Sequence, residues 1–104
     1  MAVMKARHGM YIGGGLNKAT SWTDAVTNAN SYALALVKCT VGGANRTFQF
    51  TVPKDNFNDG YVFTSGYYYS STNNAYVAFN QSTGSATVTS NSTSVTNTTE
   101  FYYD

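Results

Sequence analysis

The stretch Ser31-Tyr-Ala-Leu-Ala-Leu-Val-Lys-Cys-Thr-Val-Gly-Gly-Ala-Asn-Arg-Thr-Phe-Gln-Phe-Thr-Val52 decides the fold. In its second half, Phe48, Phe50 and Val52 alternate with polar residues, which predicts a strand with one face towards the core. Its first half is apolar on both faces, with Tyr32, Leu34 and Leu36 on one and Ala33, Ala35, Val37 and Cys39 on the other. Gly42-Gly43 supplies the positive φ of a tight turn, so residues 31–52 predict an antiparallel hairpin.

The rest of the chain also divides into short extended runs separated by turn residues. Candidate strands cover 4–12, 60–64, 66–69, 75–79, 85–89 and 95–103, and a short strand or helical turn is expected near Trp22–Asn28. Pro53 ends the second strand of the hairpin, Asn58-Asp59-Gly60 predicts a turn, and Gly84 suits a left-handed turn position. Seven or eight elements, with turns roughly every 8 to 12 residues, predict an all-β antiparallel sandwich or jelly-roll-like domain.

Length and composition favour one domain with an aromatic core. The 104 residues predict a single domain over 1–104, with 1–20 as a candidate attachment or oligomerisation segment. Thr, Ser and Asn supply 36 residues, which is typical of disorder, but aromatic residues reach 15% and the net charge is only +1. We therefore expect a core built from rings, in which Trp22 is either an anchor or an exposed stacking platform.

Composition also argues against several classes of protein. Cys39 is the only cysteine, so no disulfide forms within the chain, and a small domain without one gains from self-association. The longest apolar run, 32–37, is far below the roughly 18 to 20 residues that span a bilayer, so no membrane insertion is expected. Glycines at 9 and 13–15 interrupt any signal-peptide core. The small net charge disfavours nucleic acid as a partner.

The residues that support catalysis are few. His8 and Cys39 could pair as a nucleophilic site, although a lone cysteine on an alternating strand is more often a core residue. Asp55 and Asp59 could offer oxygen ligands to Ca²⁺, or simply lie in a solvated loop. We therefore predict no enzyme activity, no catalytic residue, no cofactor and no metal.

Aromatic and amide side chains remain as candidates for ligand binding. Consecutive residues of a strand alternate between faces, so at least one ring of Tyr67-Tyr68-Tyr69 must point outward. A tyrosine ring can stack on a sugar while its hydroxyl forms a hydrogen bond. The predicted ligand-binding set is Tyr61, Tyr67, Tyr68, Tyr69, Asn73 and Asn74. The alternative is that these rings fill the core or an interface between subunits.

Charge is divided unevenly along the chain. All six basic residues precede residue 55, whereas residues 55–104 carry four acids and no base. Either strands from the two halves are neighbours in one sheet, or the halves mediate contact between copies or with a larger partner.

Three segments carry a resemblance to a known class of protein: Ala75-Tyr-Val-Ala-Phe-Asn80, Gly84-Ser-Ala-Thr-Val-Thr89 and Thr98-Thr-Glu-Phe-Tyr-Tyr103. With their Thr/Val/Tyr strands and Ser/Asn/Gly turns, residues 60–104 resemble the β-rich fibre and decoration proteins of tailed bacteriophages. The resemblance is one of style and matches no diagnostic motif.

The resemblance implies a non-enzymatic virion structural protein: a head fibre, a capsid decoration protein or a fibre-tip domain. Such a protein would be made in the bacterial cytoplasm and assembled on the virion. It would be a homo-oligomer, with a trimer favoured, and would contact other virion proteins and host-surface glycans. The alternative is a carbohydrate-binding or adhesin module of a bacterial surface protein.

Overall fold

The computed structural model describes residues 15–54 and 62–104. These residues form eight strands and one short helix, in the order β1 (Asn17–Ala19), α1 (Trp22–Asn28), β2 (Tyr32–Val41), β3 (Ala44–Pro53), β4 (Val62–Ser70), β5 (Asn73–Asn80), β6 (Ala86–Ser90), β7 (Thr93–Val95) and β8 (Asn97–Tyr103). The strand predicted at 4–12 and the turn predicted at 58–60 lie outside the described residues.

The strands make two sheets of four strands each. Sheet 1 has the order β1-β8-β2-β3, and sheet 2 has the order β4-β5-β6-β7. Every neighbouring pair in both sheets is antiparallel. This arrangement confirms the prediction of an all-β sandwich.

The hairpin that the sequence predicts forms the centre and one edge of sheet 1. β2 and β3 pair from Tyr32 opposite Pro53 to Val41 opposite Ala44, and Gly42 and Gly43 take φ of 63° and 76° at the turn. As expected, β2 is buried on both faces. Its small side chains lie between the sheets, while Leu34 and Leu36, 1% and 2% exposed, are buried on the opposite face.

Aromatic rings join the two sheets across the core. Phe50 of sheet 1 stacks on Phe79 of sheet 2 with ring centroids 5.4 Å apart, and Phe63 meets Phe50 at 6.1 Å. Trp22 contacts Phe79 edge to face at 5.1 Å and Phe101 at 5.5 Å. Rings therefore join the two sheets, and edge-to-face and offset pairs add to the free energy of simple burial. The expectation of a core built from rings holds only for this junction, because most of the other buried side chains are Ala, Val and Leu.

The helix carries the tryptophan into this core. Ser21 caps α1 by accepting a hydrogen bond from the Asp24 N–H at 3.0 Å, and Trp22, Ala25 and Val26 form its buried face. The Trp22 Nε1–H donates to the Gln81 carbonyl at 2.8 Å, which satisfies the polar atom of a buried ring. Trp22 is therefore a core anchor, and its reading as an exposed stacking platform is wrong.

The predicted strand at 95–103 is divided in the structure. β7 ends at Val95 in sheet 2, and β8 begins at Asn97 in sheet 1, so the chain changes sheets at Thr96. The segment therefore links the two sheets instead of forming one long strand.

The two charge halves of the chain meet inside sheet 1. Glu100 on β8 lies 3.1 Å from Lys38 Nζ on β2 and 3.7 Å from Lys18 Nζ on β1. The Lys38 hydrogen bond is the main cause of a lowered pKa of Glu100, and the Tyr102 hydroxyl adds to it by donating to Glu100 at 2.9 Å. At these residues the basic first half and the acidic second half of the chain are neighbours in one sheet. This is the simpler of the two interpretations given by the sequence.

Candidate functional site

The structure brings part of the predicted ligand-binding set together and separates the rest: Tyr68 and Asn74 lie directly opposite each other on β4 and β5 and line one depression, whereas the side chains of Tyr67 and Asn73 turn the other way. Tyr67 points into the sandwich, where the Arg46 guanidinium lies 4.0 Å from its ring centroid. Asn73 is half-buried, and its side-chain amide packs closely against Gly42 in the β2–β3 turn. The contact is so close that a Cβ added to Gly42 would overlap the amide. Both residues belong to the packing between the sheets, so neither joins an outward-facing site.

Asn74 faces outward, but its amide already holds turns together. Its Nδ2 donates to the carbonyls of Ser70 and Ser71 at 3.3 and 3.2 Å and to Asn91 Oδ1. Its Oδ1 accepts the Asn91 N–H at 2.9 Å. This clamp ties the β4–β5 turn to the β6–β7 turn, so the role of Asn74 here is structural.

Tyr68 is the member of the predicted set that the structure displays. It lies on the outer face of β4 with 70% of its surface exposed, which confirms that one ring of the tyrosine triplet points outward. Tyr61 and the side chain of Tyr69 lie outside the described part of the chain.

A second exposed ring, missed by the sequence analysis, lies beside Tyr68. Tyr76 on β5 is 55% exposed, and Val62 on β4 is 42% exposed on the same face. The alternation of 75–79 contained the signal, because a strand that turns Ala75 and Val77 inward must turn Tyr76 outward. We call the outer surface formed by Val62, Gly66, Tyr68, Tyr76 and Thr89 the tyrosine face.

The register of sheet 2 places Gly66 beside both rings, with Asn74 at the opposite corner. Gly66 pairs directly with Tyr76, and Tyr68 is two residues further along β4. The rings are thus diagonal neighbours on Cα positions about 7 to 8 Å apart. On the other side of Tyr76, Thr89 of β6 presents a hydroxyl. Together they line an open depression of about 650 Å³.

The strands that carry the tyrosine face contain no charged residue. The sequence has no Asp, Glu, Lys or Arg between Asp59 and Glu100, a span that contains all four strands of sheet 2. The face therefore offers rings, hydroxyls and backbone, but no formal charge.

A second depression, of about 710 Å³, lies near the far end of β2 and β3. Its cationic residues are already engaged, since Lys38 pairs with Glu100 and Arg46 stacks on Tyr67. Cys39 at its edge is buried, and burial raises the pKa of its thiol, which opposes formation of a nucleophilic thiolate. His8 lies outside the described residues. This depression supports a function less well than the tyrosine face.

The described residues contain neither a cluster of metal ligands nor a membrane-spanning helix. Within 15–54 and 62–104, no three His, Cys, Asp or Glu side chains gather as metal ligands would. Asp55 and Asp59, the candidate Ca²⁺ ligands, fall outside those ranges. The helix in the described residues is too short and too polar to cross a bilayer.

No family model, curated protein or solved structure matched the chain.

Proposed function

We propose that this chain is a non-enzymatic structural protein of a bacteriophage particle, assembled as a trimer, and that its tyrosine face contacts host-surface glycans. The phage setting rests on the sequence resemblance of residues 60–104. The glycan contact rests on one structural observation: two exposed rings, Tyr76 across from Gly66 and Tyr68 two residues along from it, are displayed on a sheet whose strands carry no charge.

The chemistry of the face suits a sugar. A tyrosine ring presents a flat apolar surface to the C–H groups of a pyranose, and its hydroxyl can exchange hydrogen bonds with those of the sugar. Both rings are on paired strands of a packed sheet, so their backbone is already ordered before a ligand binds. Binding therefore costs little additional conformational entropy. A shallow site of this kind fits recognition of a polysaccharide on a cell surface.

Glycan binding can be tested directly with the purified chain. We expect it to bind members of an immobilised panel of bacterial surface glycans. Tyr68→Ala and Tyr76→Ala should each raise Kd by about tenfold, because each removes a stacking surface worth roughly 1.4 kcal/mol. Tyr68→Phe and Tyr76→Phe should lose less, because they keep the ring.

The control is Thr51→Ala, an exposed change on sheet 1 that should leave Kd unaltered. Circular dichroism and thermal melts would show that each variant keeps the fold. Unchanged glycan affinity in folded Tyr68→Ala and Tyr76→Ala proteins would contradict the proposed site.

The same face also favours a second candidate, a carbohydrate-binding module of a bacterial surface protein. An antibody against the chain distinguishes the two. Labelling of purified virions supports the phage protein, whereas labelling of uninfected cells supports the bacterial module.

A further inference from the structure

We propose that Gly66 forms a notch that seats one sugar ring between Tyr68 and Tyr76, and that the tyrosine face selects neutral over acidic glycans. This inference rests on the proposed glycan-binding function and names the ligand class of that same site.

The first step is that the fold does not require a glycine at position 66. Its φ is not positive, unlike those of Gly42, Gly43 and Gly84. A Cβ built there would meet only the Ala75 carbonyl, at an ordinary contact distance of 3.7 Å. A glycine inside a strand loses side-chain packing and conformational entropy, and it often marks a bulge, a bend or a site where a ligand or another backbone approaches closely. The bulge of β4 lies further along the strand, between Tyr68 and Ser70, so it does not account for Gly66.

The second step is the shape that the missing side chain creates. Gly66 lies on the exposed outer face of β4, opposite Tyr76 and two residues before Tyr68. Its bare backbone is therefore bordered by two exposed rings. A sugar seated there could contact the edge or face of both rings while lying against the backbone of β4.

The third step concerns charge. An acidic sugar that leaves water needs a cation to offset the loss of hydration of its carboxylate. The strands of sheet 2 contain no basic residue. Of the basic residues within 15–54 and 62–104, Lys18, Lys38 and Arg46 are on sheet 1, and Lys54 directly follows β3 and donates to the Val26 and Ala29 carbonyls. Hydroxyl-bearing neutral sugars lose no such charge hydration, and Tyr68, Tyr76 and Thr89 can bond to their hydroxyls.

The experiment fills the notch without disturbing the strand. In Gly66→Thr a β-branched side chain that favours strands occupies the notch. We expect the protein to fold and melt at or above the wild-type temperature, while its affinity for neutral glycans falls at least tenfold. Gly66→Ala should lower the affinity for neutral glycans by a smaller factor, because its methyl group fills less of the notch. Thr64→Val, a change of nearly equal shape at an exposed position of the same strand and face that does not line the depression, is the matched control and should keep wild-type affinity.

The ligand class is tested by calorimetry with two probe sets: neutral trisaccharides of glucose, galactose and N-acetylglucosamine, and trisaccharides bearing uronic or sialic acid. We expect the tightest neutral ligand to bind at least tenfold better than any acidic one, with affinity almost independent of salt. Equal or tighter binding of acidic sugars would overturn the selectivity.

The outcomes separate this inference from the proposed function. If Tyr68→Ala weakens binding about tenfold and Gly66→Thr leaves the affinity unchanged, the glycan site stands and the notch is wrong. If no glycan binds in the panel or in solution, both the function and the notch are overturned.

Discussion

At the scale of single residues, Asp104 ties the end of β8 to the segment before β2. Its carboxylate accepts hydrogen bonds from the N–H groups of Asn30 at 2.8 Å and Ser31 at 3.0 Å, and more weakly from Tyr32. Burial alone would raise the pKa of Asp104, but these backbone donors outweigh it and lower the pKa below the ordinary value of 3.8. The charged form is therefore the one that the fold stabilises.

This arrangement predicts a pH-dependent contribution to stability. A lowered folded-state pKa stabilises the fold above the unfolded-state pKa, and the effect is lost as pH falls through the folded-state value. We expect Asp104→Asn to reduce the free energy of unfolding by about 1 to 3 kcal/mol at neutral pH, because it weakens buried charge-assisted bonds. Urea titrations should show that the difference in unfolding free energy between the wild-type protein and Asp104→Asn becomes smaller below pH 3.8. A difference that stays constant down to strongly acidic pH would contradict the role of the carboxylate.

At the scale of elements, the β5–β6 turn and α1 depend on each other. Gly84 in the turn has φ of 78°, and a Cβ there would overlap the Cβ and Cγ of Trp22. Trp22 in turn donates to the Gln81 carbonyl in the same turn. Two features therefore favour glycine at position 84: its left-handed backbone conformation, and the close packing of Trp22, which leaves no room for a Cβ.

Two matched alanine variants separate these requirements. Gly43 has nearly the same φ, 76°, but has no atom within 4 Å of its built Cβ. We expect Gly43→Ala to cost about 1 to 2 kcal/mol of unfolding free energy for the left-handed backbone alone. Gly84→Ala should cost a further 1 to 3 kcal/mol or so for overpacking. Denaturant melts with tryptophan fluorescence measure both values. Equal losses would show that the turn moves freely away from Trp22.

Strand predictions succeeded where the sequence has clear periodicity. The alternation in β3, the two-sided apolar pattern in β2 and the Gly-Gly pair between them fix the hairpin. The helix was harder, since Thr, Asn and Val are poor helix formers, but the Ser21 cap and the helical spacing of Trp22, Ala25 and Val26 mark it. The change of sheets at Thr96 was not predictable, because 93–99 is nearly all Ser, Thr and Asn.

The candidate site was only partly predictable for a related reason. Alternation shows that neighbouring tyrosines face opposite ways, but the apolar pattern around Tyr67 and Tyr68 does not say which one is outside. The orientation of the two rings depends on tertiary contacts. Tyr67 packs against Arg46 and the core, and Tyr68 is therefore exposed. Asn74 could not be recognised as a clamp, because its partner Asn91 is distant in the sequence and reaches it only through sheet pairing.

At the scale of the whole molecule, the charged side chains of the described strands lie on sheet 1 and the most exposed rings lie on sheet 2. The ion pairs of Glu100 lie on sheet 1, whereas sheet 2 carries the three large apolar side chains that are most exposed in the described residues. An uncharged face with exposed rings can also attract another copy of the chain. The glycan proposal therefore requires that the proposed trimer assemble through a different surface.

This requirement gives a prediction about mass. We expect light scattering after size exclusion at micromolar concentration to give three times 11.2 kDa. The Tyr68→Ala/Tyr76→Ala double variant should keep that mass while losing glycan affinity, because its rings are exposed for ligand and not buried between copies. A wild-type trimer whose double variant elutes as a monomer would assign the tyrosine face to assembly. A wild-type monomer would contradict the trimer and favour the bacterial binding module, since a single domain can still present Tyr68, Gly66 and Tyr76 to a sugar.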